Sequence, residues 1–167
     1  MIAPRFVVFA SIPLTMIIAC SKTPTQRADE AIKLVSQMHQ EVVASHKKYA
    51  REFQKRPDAD QVRAVMGEWF SKNNLADVEG LSVSADLQQQ LADLQSKYKD
   101  GELVTHIRLY MTRYAKGAID TENALERDNK EDTNGAWTIV RTANKAICHE
   151  DSAIARRYIT KLEALSN

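Results

Sequence analysis

Few side chains in this sequence could bind a metal ion or act as nucleophiles. His39 and His46 are seven residues apart, and Cys148-His149-Glu150-Asp151 places four ligand types in a row. On one helix, residues seven apart lie roughly 10 Å apart, and adjacent residues point about 100° apart. Neither group can hold an ion alone, and His106 stands by itself. We therefore expect no resident metal or cofactor, unless the fold assembles a site.

Sequence motifs of nucleophilic catalysis and phosphate binding are absent. The chain has no Gly-x-Ser-x-Gly and no glycine-rich phosphate loop. Glu68 beside Trp69 could be an acid with a raised pKa, as a glycosidase acting on the cell wall requires. Its place beside an apolar helix face is more typical of a solvated residue. We expect no catalytic residue, and the alternative is an envelope hydrolase that uses carboxylates or an assembled Cys/His site.

The N-terminal apolar segment ends in Ile17-Ile18-Ala19-Cys20. Arg5 is the one charge before Lys22, and an apolar run from Phe6 to Ile18 follows it. As a helix this run would be roughly 20 Å long, shorter than the ~30 Å hydrocarbon core of a bilayer. Pro13 would also kink it. The pattern favours a cleaved secretory signal over a permanent membrane span.

The same four residues resemble the lipobox of bacterial lipoprotein signal peptides, a resemblance that covers only the first twenty or so residues. It implies cleavage before Cys20 and attachment of lipid to the Cys20 sulfur, usually with a further acyl chain on the amino group. Ser21, rather than the Asp that commonly retains such proteins at the inner membrane, implies the outer membrane. We expect the body on its periplasmic side, and exposure on the cell surface is the alternative. Two or three acyl chains hold a protein firmly. An ordinary signal cleaved after Ala19 is the alternative.

The chain divides into a signal peptide at residues 1–19, the lipidated Cys20 and a polar tether at 20–26, and a single domain at 27–167. Loss of Arg5 with the signal leaves 22 basic and 22 acidic residues, hence no net charge. No overall field favours nucleic acid or anionic lipid. Cys148 has no second cysteine left to pair with, so we expect either a buried thiol or an intermolecular bridge.

The turn residues are too few for a sheet protein of this size. No proline follows Pro57, and the whole chain has five glycines. We therefore predict an all-α fold, a compact helical bundle with a long N-terminal helix. The apolar positions predict the following helices: Thr25 to Arg56, Asp58 to about Asn74 with Asp58 as its cap, Ala85 to Lys99 with Ser84 as its cap, 102–116 ending before Gly117, Asp120 to Lys130, and a last segment from Trp137 that Glu150-Asp151-Ser152 could break.

Two segments fit a strand as well as a helix, namely residues 102–116 and 137–142. Leu103, Ile107 and Met111 satisfy both periodicities, and the first segment is rich in β-branched and aromatic residues. The alternative fold is therefore α+β, with a small sheet covered by the long helix.

A basic stripe on the first helix, formed by Lys47, Arg51 and Lys55, is the candidate partner-binding surface. Together with the expected location at the outer membrane, this stripe leads to a hypothesis for the function of the chain. The chain would be a lipid-anchored periplasmic binding module whose partners are the membrane, through Cys20, and a protein of the envelope. Secretion pilotins and immunity proteins are analogues in size, address and helicity only.

Overall fold

Six α-helices form the part of the chain that the computed structural model describes, residues 22–128 and 135–165. They are α1 Pro24–Gln54, α2 Ala59–Val65, α3 Gly67–Lys72, α4 Leu81–Lys97, α5 Asp100–Asp128 and α6 Gly135–Ala164. The described residues contain no strand, so the all-α prediction is confirmed. The α+β alternative is wrong, because 102–116 and 137–142 both lie inside long helices.

Helix α1 begins at a complete capping box. The backbone N–H of Gln26 donates to the Thr23 hydroxyl at 3.2 Å, and the Gln26 side chain accepts from the Thr23 N–H at 2.9 Å. Pro24 follows Thr23, where its missing N–H costs nothing. Residues 24–26, which the sequence assigned to the tether, are therefore helical.

The three long helices form the centre of the bundle, with each of α1, α5 and α6 packed against the other two. Helix α4 lies against α1 and, over a smaller area, against α5. Helices α1 and α6 run antiparallel, because Glu41 bonds to Tyr158 while His46, further along α1, bonds to the earlier residue Asp151. Helices α2 and α3 close the end of the bundle where α1 finishes.

The core consists of two hydrophobic clusters. The first cluster is built by α1, α4, α5 and α6 and includes Val35, Met38, Val42, Ile107, Met111, Ile154 and Leu162. The second cluster lies at the α2–α3 end and includes Ala50, Phe53, Trp69, Phe70, Leu75, Val140 and Ile147. Within the second cluster the ring centroids of Phe53 and Phe70 are 4.5 Å apart, edge to face, a favourable aromatic geometry.

One of the two predicted caps, Ser84, is wrong, whereas Asp58 is the residue that precedes α2, as predicted. Helix α4 begins at Leu81, ahead of the predicted cap Ser84, and its cap is Gly80 with a φ of +67°. The carboxylate of Asp77 accepts from the Ser82 N–H at 2.7 Å and so satisfies a donor of the extra turn. Asp58 makes no capping bond; it pairs with the Arg56 guanidinium at 2.9 Å instead.

Three predicted helix boundaries are also wrong. Helix α5 continues through Gly117 to Asp128 and takes in most of the separate helix predicted from Asp120. Helix α6 is unbroken at Asp151 and Ser152, because these side chains turn inward and are buried. The second predicted helix is two short ones, α2 and α3, which meet at Met66.

Candidate functional site

Three polar side chains meet between the two hydrophobic clusters; we call them the polar layer. They are His46 from α1, Tyr114 from α5 and Asp151 from α6. His46 Nε2 lies 2.8 Å from Asp151 Oδ2, and the Tyr114 hydroxyl donates to the same oxygen at 3.2 Å. Because an ionised carboxylate only accepts, Nε2 of His46 carries the proton in this bond. Burial and the Asp151 charge raise the pKa of Tyr114, which keeps its phenol protonated.

The polar layer is buried but not fully paired. The side chains of His46 and Asp151 are 11% and 9% exposed. Among the described residues, no hydrogen-bond partner is found for Oδ1 of Asp151, Nδ1 of His46 or the hydroxyl of neighbouring Ser45. An unsatisfied buried polar atom costs about 1–3 kcal/mol. The polar layer and Ser45 therefore contain buried polar atoms that the surrounding described side chains do not bond to.

A cavity of about 340 Å³ adjoins the polar layer; we call it the polar cavity. All three layer residues line it, and its remaining walls are Lys72, Asn73, Asn74, Gly117, Ala118, Thr121, Ile147 and Cys148. Small residues on α5 provide the room: a Cβ built on Gly117 would meet nothing within 4 Å. The sequence alone could not indicate this space, because Gly117 resembled a helix end.

Cys148 faces the polar cavity as a buried thiol whose sulfur lies 3.7 Å from Oδ1 of Asn144. Burial, and then the negative charges of Asp151 and Glu122, raise the pKa of Cys148 to about 11. The thiolate is the nucleophilic form, so this cysteine is unreactive near neutral pH. Cys148 is therefore a buried thiol, the first of the two states that we expected from the sequence. The environment of this thiol disfavours a hydrolase that depends on a reactive cysteine.

The other histidines take separate partners. His39 Nε2 lies 2.8 Å from the Tyr110 hydroxyl, and burial lowers the pKa of His39 to about 4. His149 Nε2 lies 2.8 Å from Glu122 Oε2. The ring of His106 stacks on a neighbouring tyrosine with centroids 3.5 Å apart. Within residues 22–128 and 135–165, no three His, Cys, Asp or Glu side chains are arranged to hold a metal ion.

A larger cleft of about 750 Å³ opens at the α2–α3 end; we call it the aromatic cleft. Its apolar walls are Val65, Met66, Trp69, Leu125 and Trp137. Glu68 is the only carboxylate among the described residues that line it. A glycosidase needs two carboxyl groups across the scissile bond, so this lining disfavours Glu68 as a catalytic acid.

The structure places the basic stripe beside the turn that precedes α4. The Lys47 side chain lies against Gly80, where a Cβ would come within 2.9 Å of it. The Arg51 guanidinium is 3.4 Å from the Glu79 carboxylate, with both side chains more than half exposed. Lys55 is exposed. Glu79 therefore offsets part of the positive charge, although an exposed pair of this kind contributes no more than about 1 kcal/mol.

The described residues form an all-α bundle, and comparisons with known proteins add no relationship to it. No protein-family model, no curated protein and no solved structure matches the chain. None of the helices in the described ranges combines the length and apolar character needed to cross a membrane. The expected signal peptide and Cys20 lie outside the described residues.

Proposed function

We propose that the chain is a lipid-anchored, non-enzymatic binding module. Cys20 holds it in the outer membrane, and its helical body faces the periplasm and binds a protein of the envelope. The lipobox resemblance and Ser21 after Cys20 support the location at the outer membrane. The protonated Cys148 supports binding rather than catalysis, as does the aromatic cleft, where Glu68 is the one carboxylate that the described residues contribute.

The position of α1 supports one orientation of the body relative to the lipid. Two residues separate Cys20 from the cap Thr23, and an extended chain covers at most ~11 Å over these three residue steps. The 31 residues of α1 then extend over roughly 46 Å. A lipid on Cys20 would keep the start of α1 near the membrane, and we propose that α1 points away from it, so that α2, α3 and the aromatic cleft face the periplasm.

The aromatic cleft is the observation that carries the proposal. Its lining combines Val65, which is 57% exposed, with the half-buried Trp137 and the buried Trp69. Tryptophan is enriched among the residues that dominate binding energy at protein interfaces, and such residues sit in pockets rimmed by less critical contacts. The partner would place apolar side chains against Val65 and Trp137. The pilotin and immunity analogies remain analogies of size, address and helicity.

The anchor is tested by Cys20→Ser in the producing cell, with membrane and soluble fractions compared. We expect the wild type in the outer-membrane fraction and the variant as an unprocessed or soluble form. Unchanged processing and unchanged membrane retention of the variant would overturn the anchor.

The cleft is tested by affinity capture of the full chain from envelope extract. Val65→Glu places a charge on the cleft lining, whereas Leu109→Glu places one at another exposed apolar position, 40% exposed on α5. We expect one envelope protein in near-equal amount with wild type and Leu109→Glu, and its loss with Val65→Glu. Equal capture by Val65→Glu and Leu109→Glu would exclude the aromatic cleft as the binding site. Charge reversal at Arg51 and Lys55 in the same assay tests the basic stripe.

An envelope hydrolase is the alternative, and the pairing of His46 with Asp151 beside a cavity is the observation that favours it. A His–Asp pair can serve as a general base that activates water. Purified peptidoglycan incubated with wild type and Asp151→Asn distinguishes the two functions. Release of soluble fragments by the wild type alone would replace the binding proposal with hydrolysis.

A further inference from the structure

A further cavity, of about 420 Å³, lies between α1 and α4; we call it the α1–α4 cavity. Its volume is in the lower part of the range for small-molecule sites. Val43, Ala44 and Leu91 form its apolar wall, and His39 and Lys47 contribute an imidazole ring and an ammonium group. The described residues that line it include none of those that line the aromatic cleft or the polar cavity.

The hydrogen bond between His39 and Tyr110 determines which ring nitrogen of His39 carries the proton. Burial raises the pKa of Tyr110, so its hydroxyl stays protonated, and its one partner among the described residues is His39 Nε2 at 2.8 Å. Burial also lowers the pKa of His39 to about 4, so the ring is neutral near pH 7 and has one N–H group. Since the Tyr110 hydroxyl donates to Nε2, that N–H group is at Nδ1.

Nδ1 of His39 is accessible from the α1–α4 cavity. It has no hydrogen-bond partner among the described residues. Unpaired side-chain atoms that are fully enclosed occur in that part of the chain only in Ser45, His46 and Asp151, so Nδ1 keeps contact with solvent. Because His39 lines the cavity, a molecule bound there can accept a hydrogen bond from Nδ1.

The Lys47 ammonium group provides a positive charge toward the other end of the cavity. Lys47 follows His39 by eight residues on α1, so their Cα atoms lie about 12 Å apart, with Val43 between them. The Lys47 stem passes over Gly80, where a Cβ would lie 2.9 Å from Cγ and Cε of the lysine. The described residues that line the cavity include no carboxylate, so the wall itself does not neutralise this charge.

We propose that the α1–α4 cavity binds a small organic carboxylate that carries a hydroxyl group at the far end of a short carbon chain. The carboxylate bonds to the Lys47 ammonium, the hydroxyl oxygen accepts from Nδ1 of His39, and the carbon chain packs on Val43, Ala44 and Leu91. This ligand is additional to the envelope protein proposed above and does not depend on it. Loss of the charge-assisted bond to Lys47 should weaken binding by about 10-fold.

The test is titration calorimetry on the full chain in neutral detergent. The probes are ω-hydroxy carboxylates of increasing length, from hydroxybutyrate to hydroxyoctanoate. Unsubstituted carboxylates of the same lengths lack the hydroxyl group, the matching diols lack the carboxylate, and inorganic phosphate is an anion without a carbon chain. We expect at least one ω-hydroxy carboxylate to bind, more tightly than its unsubstituted carboxylate and its diol, and phosphate not to bind.

Two pairs of variants locate the site. Lys47→Met removes the charge and keeps a stem that can pack on Gly80, whereas Lys48→Met removes a charge from an exposed neighbour outside the cavity lining. Ala44→Leu adds side-chain volume at the cavity wall, and Ala153→Leu makes the same change at an exposed position of α6. We expect about 10-fold weaker binding with Lys47→Met, loss of binding with Ala44→Leu, and wild-type binding with both controls.

The proposal is overturned if no ω-hydroxy carboxylate binds, or if the diols or phosphate bind as well as the ω-hydroxy carboxylates. It is also overturned if either Lys47→Met or Ala44→Leu binds the probe as tightly as its control variant.

Discussion

Nε2 of His46 lies 2.8 Å from Oδ2 of Asp151, although 105 residues separate the two in the chain. This contact joins the first helix to the last in the middle of the core. Its partners are almost fully buried, so neither can turn to water if the other is removed. The pairing therefore makes the polar layer sensitive to single substitutions and tolerant of paired ones.

His46→Leu should lower the free energy of unfolding by about 3 kcal/mol, because the buried Asp151 carboxylate loses a charge-assisted donor. The double variant His46→Leu/Asp151→Leu should be less unstable than the two single effects predict, since it leaves no isolated charge. Urea denaturation of the four proteins measures the coupling. Strictly additive single effects would mean that the contact contributes nothing.

His39 should make the protein less stable in mild acid. Its folded pKa of about 4 is below the unfolded value of about 6.5, so the unfolded chain takes up a proton first as the pH falls. Stability is therefore complete above about pH 6.5 and decreases as the pH falls toward 4, by something on the order of 2 kcal/mol.

His39→Gln removes this titration and keeps a side chain able to bond to Tyr110. Unfolding free energies at pH 7 and pH 5 should differ less in this variant than in wild type. Equal pH dependence in both proteins would contradict a depressed His39 pKa. Following the ring proton of His39 by NMR gives the pKa directly.

Cys148 should react slowly with a disulfide reagent in the folded state. In Cys20→Ser it is the single thiol of the chain. Its pKa of about 11 keeps the thiolate scarce at neutral pH, and burial blocks access. The native rate should keep rising with pH beyond 9, whereas the urea-unfolded chain should react quickly. A native rate that matches the unfolded rate would show an accessible thiol.

Gly80→Ala should cost about 2 kcal/mol. A side chain at a φ of +67° is strained by roughly 1 kcal/mol, and the new Cβ would lie 2.9 Å from Cγ and Cε of Lys47. Gly101→Ala is the matched control, because its Cβ would meet nothing and alanine favours the helix. Thermal unfolding should show a lower midpoint for the first and an equal or higher one for the second. Adding Lys47→Ala to Gly80→Ala should restore part of the loss.

Local sequence patterns predicted the presence of helices better than they predicted the residues at which the helices begin and end. Proline and glycine scarcity and the apolar spacing of α1 were enough to predict an all-α bundle with a long first helix. The predictions at Ser84 and Gly117 were wrong because serine and glycine are both common residue types at helix ends. Their roles were decided by tertiary contacts instead, with Asp77 capping the earlier turn at Ser82 and the rest of α5 packed against α6.

The polar layer could not be predicted for a related reason. The sequence showed His39 and His46 only as two residues seven apart. It showed Asp151 only as one of four adjacent ligand types and as part of a segment that could break a helix. Tyr110 lies 71 residues from His39, and Asp151 lies 105 residues from His46. A single sequence carries no signal that links positions so far apart. The unpaired atoms of the layer are visible only once the helices are packed.

The antiparallel packing of α6 on α1 also constrains how this chain can be made. Glu41, His46 and Tyr49 of the first helix all bond to residues of the last, the 30-residue α6. A nascent chain of which only the first hundred residues have left the ribosome contains only one residue of each bonded pair. Closure of the core must wait for the C-terminal segment, so a premature stop codon even late in the gene should yield a product that proteases remove.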